Sequence, residues 1–97
     1  MLDLIELNFG TNCIKYSNMR LYMIQDAKEV VSFCEENKIP VYSLEAFRIF
    51  GEGIQPSLEH SIDFREQDNE SCWQRALAFL CNSNIREYVF EIWHEGY

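Results

Sequence analysis

Basic side chains are scarce in this sequence beside acidic ones. Eight Lys and Arg stand against sixteen Asp and Glu, a formal net charge of −8, with a pI near 4.6. That scarcity argues against direct binding to nucleic acid or to an anionic membrane surface, both of which need clustered Lys and Arg. It favours partners that are themselves basic. The two histidines, His60 and His94, are far apart, and no H-E-x-x-H pattern exists. There is no G-x-S-x-G elbow, and no cysteine has a histidine near it in sequence, so nucleophilic catalysis finds no signature. Gly51-x-Gly53 is too short for a dinucleotide loop, and its acidic surroundings would repel phosphate. No cofactor is expected. No apolar run approaches the ~18 residues of a membrane span. The opening MLDLIELNFG is acidic and lacks a small-residue cleavage site, unlike a signal peptide.

The four cysteines, Cys13, Cys34, Cys72 and Cys81, form no C-x-x-C pair and keep no regular spacing. They read as free thiols, mostly buried, in a reduced cytoplasmic protein. Hydrophobic residues make up 47% and aromatics 14% of 97 residues, enough apolar surface to offset the ordering entropy of one domain, residues 1–97. Repeats, linkers and low-complexity tracts are absent.

Residues 2–9 fit a strand through Leu2 and Leu4, or a helix through Leu2, Ile5 and Phe9. Cys13 to Tyr16 reads as a short strand, broken at Ser17-Asn18. Arg20 to Gln25 is apolar on both faces and predicts a strand covered on both sides. Asp26, with Glu29 three residues on, then reads as the N-cap of a helix. Ala27, Val30, Val31 and Cys34 form the stripe of that helix, and Glu35 to Lys38 close it. Ile39 to Tyr42 predicts a second strand, so the three elements read as a βαβ unit with a right-handed crossover. Ser43 is expected to cap a short helix, Leu44 to Phe50, with Gly51 as its left-handed C-cap. Gly51 to Ser57 reads as a loop, and Ser61 to Phe64 as a strand with Ile62 and Phe64 inward and Asp63 outward. A helix is predicted over roughly Glu70 to Asn82, burying Cys72, Trp73, Ala76, Leu77 and Leu80. A last strand, Arg86 to Trp93, sets Tyr88, Phe90 and Ile92 against Glu87, Val89, Glu91 and Trp93. The fold class is α/β or α+β, a small mixed sheet with about three helices in a single compact domain.

The charge is not spread evenly. Residues 51–70 hold six acids (Glu52, Glu59, Asp63, Glu66, Asp68 and Glu70) against Arg65, a net −5 in about a fifth of the chain. A field this concentrated attracts a partner of opposite sign. Within it, Glu59-His60-x-x-Asp63 is the one cluster that resembles chemistry, since these side chains can ligate a metal or exchange protons. On a strand, Glu59 and Asp63 share a face and His60 takes the other. Of the two tryptophans, Trp73 falls on an apolar helix face and reads as core. Trp93 fits either core or an interface anchor.

Two segments, Phe33-Cys34-Glu35-Glu36-Asn37-Lys38-Ile39-Pro40 and Ile54-Gln55-Pro56-Ser57-Leu58-Glu59-His60-Ser61-Ile62-Asp63-Phe64, give the chain a resemblance across roughly residues 20–93. It resembles the small cytoplasmic immunity proteins of bacterial contact-dependent growth inhibition and related polymorphic toxin systems, which are short, acidic and mixed α/β. The resemblance implies a cognate-specific, non-enzymatic inhibitor that binds a toxin C-terminal domain, often a nuclease, in the cytoplasm. Glu52, Glu59, Asp63, Glu66 and Asp68 are then the expected charged contacts, with Gln55 and Trp93 as polar and aromatic ones. The alternatives are a small metal-dependent hydrolase using Glu59, His60 and Asp63, or an acidic adaptor or nucleic-acid mimic.

Overall fold

The computed structural model describes residues 4–11, 13–51, 53–64, 72–81 and 87–95. Pattern and structure agree best in helix α2, Ile24–Glu36, where Ala27, Val30, Val31 and Cys34 are all buried. Its N-terminus is not at Asp26 as expected. Met23, in extended conformation, holds the N-cap position without a side-chain cap, and the Ala27 N–H donates to its carbonyl at 2.8 Å. The helix thereby absorbs Ile24 and Gln25 from the anticipated strand. Asp26 lies in the first turn, where a carboxylate still favours the positive end of the helix dipole. At the other end Lys38 takes a left-handed φ of 57°, with Lys38 N–H donating to Glu35 and Ile39 N–H to Cys34. That is a Schellman closure made without glycine.

The expected helix over Leu44 to Phe50 does not form; those residues belong to strand β3, Val41–Phe50. Leu44, Phe47 and Phe50 do fall at helical spacing. However, the segment finds strand partners on both sides, which override its local periodicity and its mixed propensity. Leu44 enters the main core, Phe47 a second cluster on the opposite face, and Phe50 is half exposed. Gly51 therefore caps no helix. Its φ of +51° serves the turn of a hairpin in which Phe50 pairs with Gly53. The expected loop is that turn and the start of strand β4, Gly53–Asp63.

Strand β5, Val89–His94, pairs antiparallel with the other side of β3, giving the order β4-β3-β5. Two short strands, β1 (Ile14–Tyr16) and β2 (Met19–Leu21), make an antiparallel hairpin through a turn at Ser17-Asn18. Tyr22, just after β2, exchanges backbone hydrogen bonds of 2.8 Å with Phe90 on β5. Tyr22 and β3 both run antiparallel to β5 and hence parallel to each other. The expected βαβ unit is thus a split one, with β5 inserted between its two strands.

Residues 4–9 resolve as a helix, α1 (Leu4–Phe9), and the predicted late helix is α3, Cys72–Leu80. Ile5, the α2 stripe, Trp73, Ala76 and Leu80 join Leu44, Ala46, Phe90 and Ile92 in one buried cluster. All three helices therefore contribute to the core on one face of the sheet, in an α+β arrangement. Trp73 is core as expected, its indole N–H donating to the Ile39 carbonyl at 2.8 Å. Cys34 and Cys72 are buried, Cys13 is half-buried and Cys81 exposed, all as free thiols.

The hairpin is tied to α1 and β5 by charge. Glu6 pairs with Lys15 at 2.6 Å and with Arg20 at 2.9 Å. The Lys15 hydrogen bond first, then that of Arg20, hold the Glu6 carboxyl below its ordinary value of 4.5. Arg20 also reaches Nε2 of the buried His94 at 3.3 Å. A guanidinium can only donate there, so Nε2 accepts and Nδ1–H donates to the Glu95 carbonyl at 3.0 Å.

Candidate functional site

The face of the sheet away from the helices is divided. At one end Leu21, Phe47 and Val89 form a small apolar cluster flanked by Tyr16, Met19 and Ile54. At the other, the strand register sets a polar row across the sheet. Asp63 of β4 and Trp93 of β5 both lie directly opposite Ser43 of β3. Glu45, two residues along β3, lies opposite Glu91. Side chains paired across a sheet share a face, so Asp63, Ser43, Glu45, Glu91 and Trp93 form one patch drawn from three strands.

Two carboxylates directly opposite each other are normally destabilising. Here the Trp93 indole N–H lies between them, 3.1 Å from Glu91 Oε1 and 3.3 Å from Glu45 Oε2. Glu91 is only 3% exposed, while Trp93 stands 38% exposed. One donor thus holds two acids and fixes its own ring at the surface. Negative potential concentrates beside an exposed aromatic face, a combination that suits a cationic partner.

Next to this patch the β3–β4 ladder is interrupted. Leu44 pairs with Ile62 and Ala46 with Ser57, so Glu45 faces a four-residue excursion, residues 58–61. Ser61 closes it, accepting the Ala46 N–H at 2.9 Å and donating to the Ser57 carbonyl at 2.7 Å. The His60 ring stacks on Tyr88 with centroids 4.4 Å apart, and its Nδ1 lies 2.8 Å from Ser57 Oγ. The strands part here around a cleft of about 220 Å³ lined by Ser43, Glu45, Ser61, Ile62 and Asp63.

Comparison with protein-family models, curated proteins and solved structures finds no match for this chain. The site must therefore be read from its own chemistry. Of the residues expected from sequence, Asp63 and Trp93 are brought together, on either side of Ser43. Gln55 is exposed but lies toward the hairpin tip opposite Arg48, lining a separate cleft of about 200 Å³ with Ser57 and Tyr88. Glu52, Glu66, Asp68 and the Glu59 side chain lie outside the described residues. The irregular register at 58–61 also removes the strict alternation that set His60 against Glu59 and Asp63. No group of three His, Cys, Asp or Glu is placed to hold a metal among the described residues. No helix among them is long and apolar enough to cross a membrane.

The sequence marks neither Glu45 nor Glu91 as a site residue and offers Ser43 only as a helix cap. The alternation of the last strand does put Glu91 on the face of Trp93. Ser43 and Glu45 were hidden by their placement in a helix.

Proposed function

We propose that this chain is an immunity-type inhibitor that binds a basic toxin domain through the acidic open face of its sheet, in the cytoplasm of the cell it protects. One observation carries the reading: Glu45, Glu91 and Asp63 converge from three strands around an exposed tryptophan. A nuclease presents cations to phosphates, and a preorganised set of carboxylates can occupy the same field. Trp93 supplies the aromatic anchor that charge alone lacks. The acidic stretch 51–70 adds long-range attraction to the same partner.

The test is capture of partners from the native strain, or of the toxin domain encoded beside this gene, at low and high salt. A stoichiometric complex with a basic domain is expected, associating about tenfold more slowly after Glu45→Lys or Asp63→Lys. Association unchanged by both reversals, or no basic partner at either salt, overturns the reading. A second reading, a small hydrolase around His60, has the 2.8 Å contact between Ser57 Oγ and His60 Nδ1 in its favour. Turnover abolished by His60→Ala, with no partner captured, would replace the first reading with this one.

A further inference from the structure

Beside the acidic row, the open face of the sheet carries an apolar surface that no helix residue joins. Leu21, Phe47 and Val89 are its buried floor, with Tyr16, Met19 and Ile54 packed around them. Register extends it on both sides. Ile14 lies directly opposite Leu21, Ile49 opposite Ile54 and Pro56 opposite Phe47, and side chains so paired share a face. Ile14 and Ile49 remain 40% and 46% exposed, at strand positions that a threonine would fill as well. Apolar side chains gathered from five strands beside a polar row have the make-up of an interaction surface.

Charge decides what covers it. The bases of the hairpin, Lys15 and Arg20, turn to the opposite side, where both pair with Glu6 of α1. Arg48, between Phe47 and Ile49, alternates to that side as well. Among the described residues the open face therefore carries no Lys or Arg. Glu45 and Glu91 follow Phe47 and Val89 on it two residues along their strands, about 7 Å away, and Asp63 lies beyond them. A second copy of the chain fits badly. Face to face about a two-fold axis, two copies set these acids against each other or against the apolar end. No base on either face would answer them. A basic segment with apolar side chains of its own fits both ends at once.

We propose that the apolar end of the open face is the seat of the partner's affinity, taking the apolar side chains of an amphipathic basic segment whose Lys or Arg lie over the acidic row. The inference rests on the reading of the chain as a binder of a basic protein, and divides the work of that face. Desolvated apolar contacts hold a complex together and set its dissociation rate. Carboxylates at the side steer the encounter and set its association rate.

The test needs no toxin. The isotopically labelled full chain is titrated by NMR at low salt with a short amphipathic helical peptide of Leu and Lys. Two counterparts are titrated beside it, one with Ser for every Leu and one with Glu for every Lys. The Leu/Lys peptide should saturate, shifting Ile14, Tyr16, Met19, Ile49 and Ile54 together with Glu45 and Trp93. The Ser counterpart should bind at least about tenfold more weakly, and the Glu counterpart should not bind. Ile14→Ser and Ile49→Ser, at positions too exposed to decide folding, should each weaken Leu/Lys binding about fivefold through faster dissociation, read from line shapes. Glu45→Gln should instead slow association. Shifts spread over exposed acids such as Glu29 and Glu36 on α2, equal binding of the Leu and Ser peptides, or binding untouched by both isoleucine variants overturns the proposal. So does a dimer of the chain alone, seen by sedimentation, that Ile49→Ser dissociates, since a second copy is then the occupant. Because the peptides are measured on the chain alone, such a failure leaves the toxin reading to its own capture experiment. Conversely, a seat confirmed by peptide in a chain that captures no basic protein overturns the toxin reading alone.

Discussion

The two faces of the sheet are built from the same strands and do opposite work. Toward the helices, Leu44, Ala46, Phe90 and Ile92 meet α1, α2 and α3 in one continuous apolar cluster. On the other side the same strands alternate into two buried apolar residues, Phe47 and Val89, which pack with Leu21 of β2, and then into Asp63, Ser43, Glu45, Glu91 and Trp93. Period-two alternation explains how one strand can serve both. The comparison teaches that the helix face is apolar throughout, whereas the open face divides into a buried apolar end and an acidic end. Substitutions on the helix face should agree in kind along a strand, and those on the open face should differ between its two ends.

The sharpest way to break that division is to empty the helix face. Phe90→Ala, at a position with no exposure, should lower unfolding free energy by about 3–5 kcal/mol, read from urea denaturation. Leu21→Ala, equally buried but in the smaller cluster, should cost about 2–3 kcal/mol, the low end for leucine truncation. A loss as large as that of Phe90→Ala would mean that the β1–β2 hairpin side carries as much of the fold as the helices do.

On the polar patch the effects should be smaller and coupled. Trp93→Phe keeps the ring but removes the N–H between Glu45 and Glu91, costing about 1 kcal/mol. Adding Glu45→Gln should restore part of that loss, because it removes the like-charge contact that the N–H had relieved. A double-mutant cycle of these two substitutions measures the coupling. Strict additivity would show that the indole does not mediate between the acids.

The smallest effect is expected at Glu6, whose folded-state pKa is depressed by Lys15 and then by Arg20. The unfolded chain takes up this proton at higher pH than the folded one. The stabilisation is therefore complete above the ordinary value of 4.5 and is lost as pH falls through the depressed folded value. Glu6→Gln should lower stability slightly at neutral pH, leave it unchanged once the carboxyl is protonated, and so flatten the acid limb below pH 4.5, as denaturation at a series of pH values will read. An acid limb identical with and without Glu6 would place the titration elsewhere.

Sequence legibility followed the same division. The helix stripes of Ala27, Val30, Val31 and Cys34, and of Cys72, Trp73, Ala76 and Leu80, were readable because one apolar face at one period determines each. Ile62, Asp63 and Phe64 alternated as a strand and do so. The segment Leu44 to Phe50 misled because it carries apolar residues on both faces, Leu44 on one and Phe47 on the other, which blurs the period of two, while Leu44, Phe47 and Phe50 fall at helical spacing. Its true state depends on β4 and β5, which local pattern does not contain. The same error scattered the candidate site. Asp63 and Trp93 were selected for charge and aromaticity, but their meeting across Ser43 is set by register. Glu45 became visible only once β3 was a strand.

The four-residue excursion in β4 has a consequence at high concentration. Among the described residues β4 is an outer strand of the sheet, and an unbroken run of eleven residues there would offer a template to a second copy. The excursion divides that run, and Pro56 withholds one donor from it. The irregularity that opens the cleft thus also discourages the chain from polymerising through its own edge, and a substitution that straightens β4 would exchange the cleft for a tendency to form fibres.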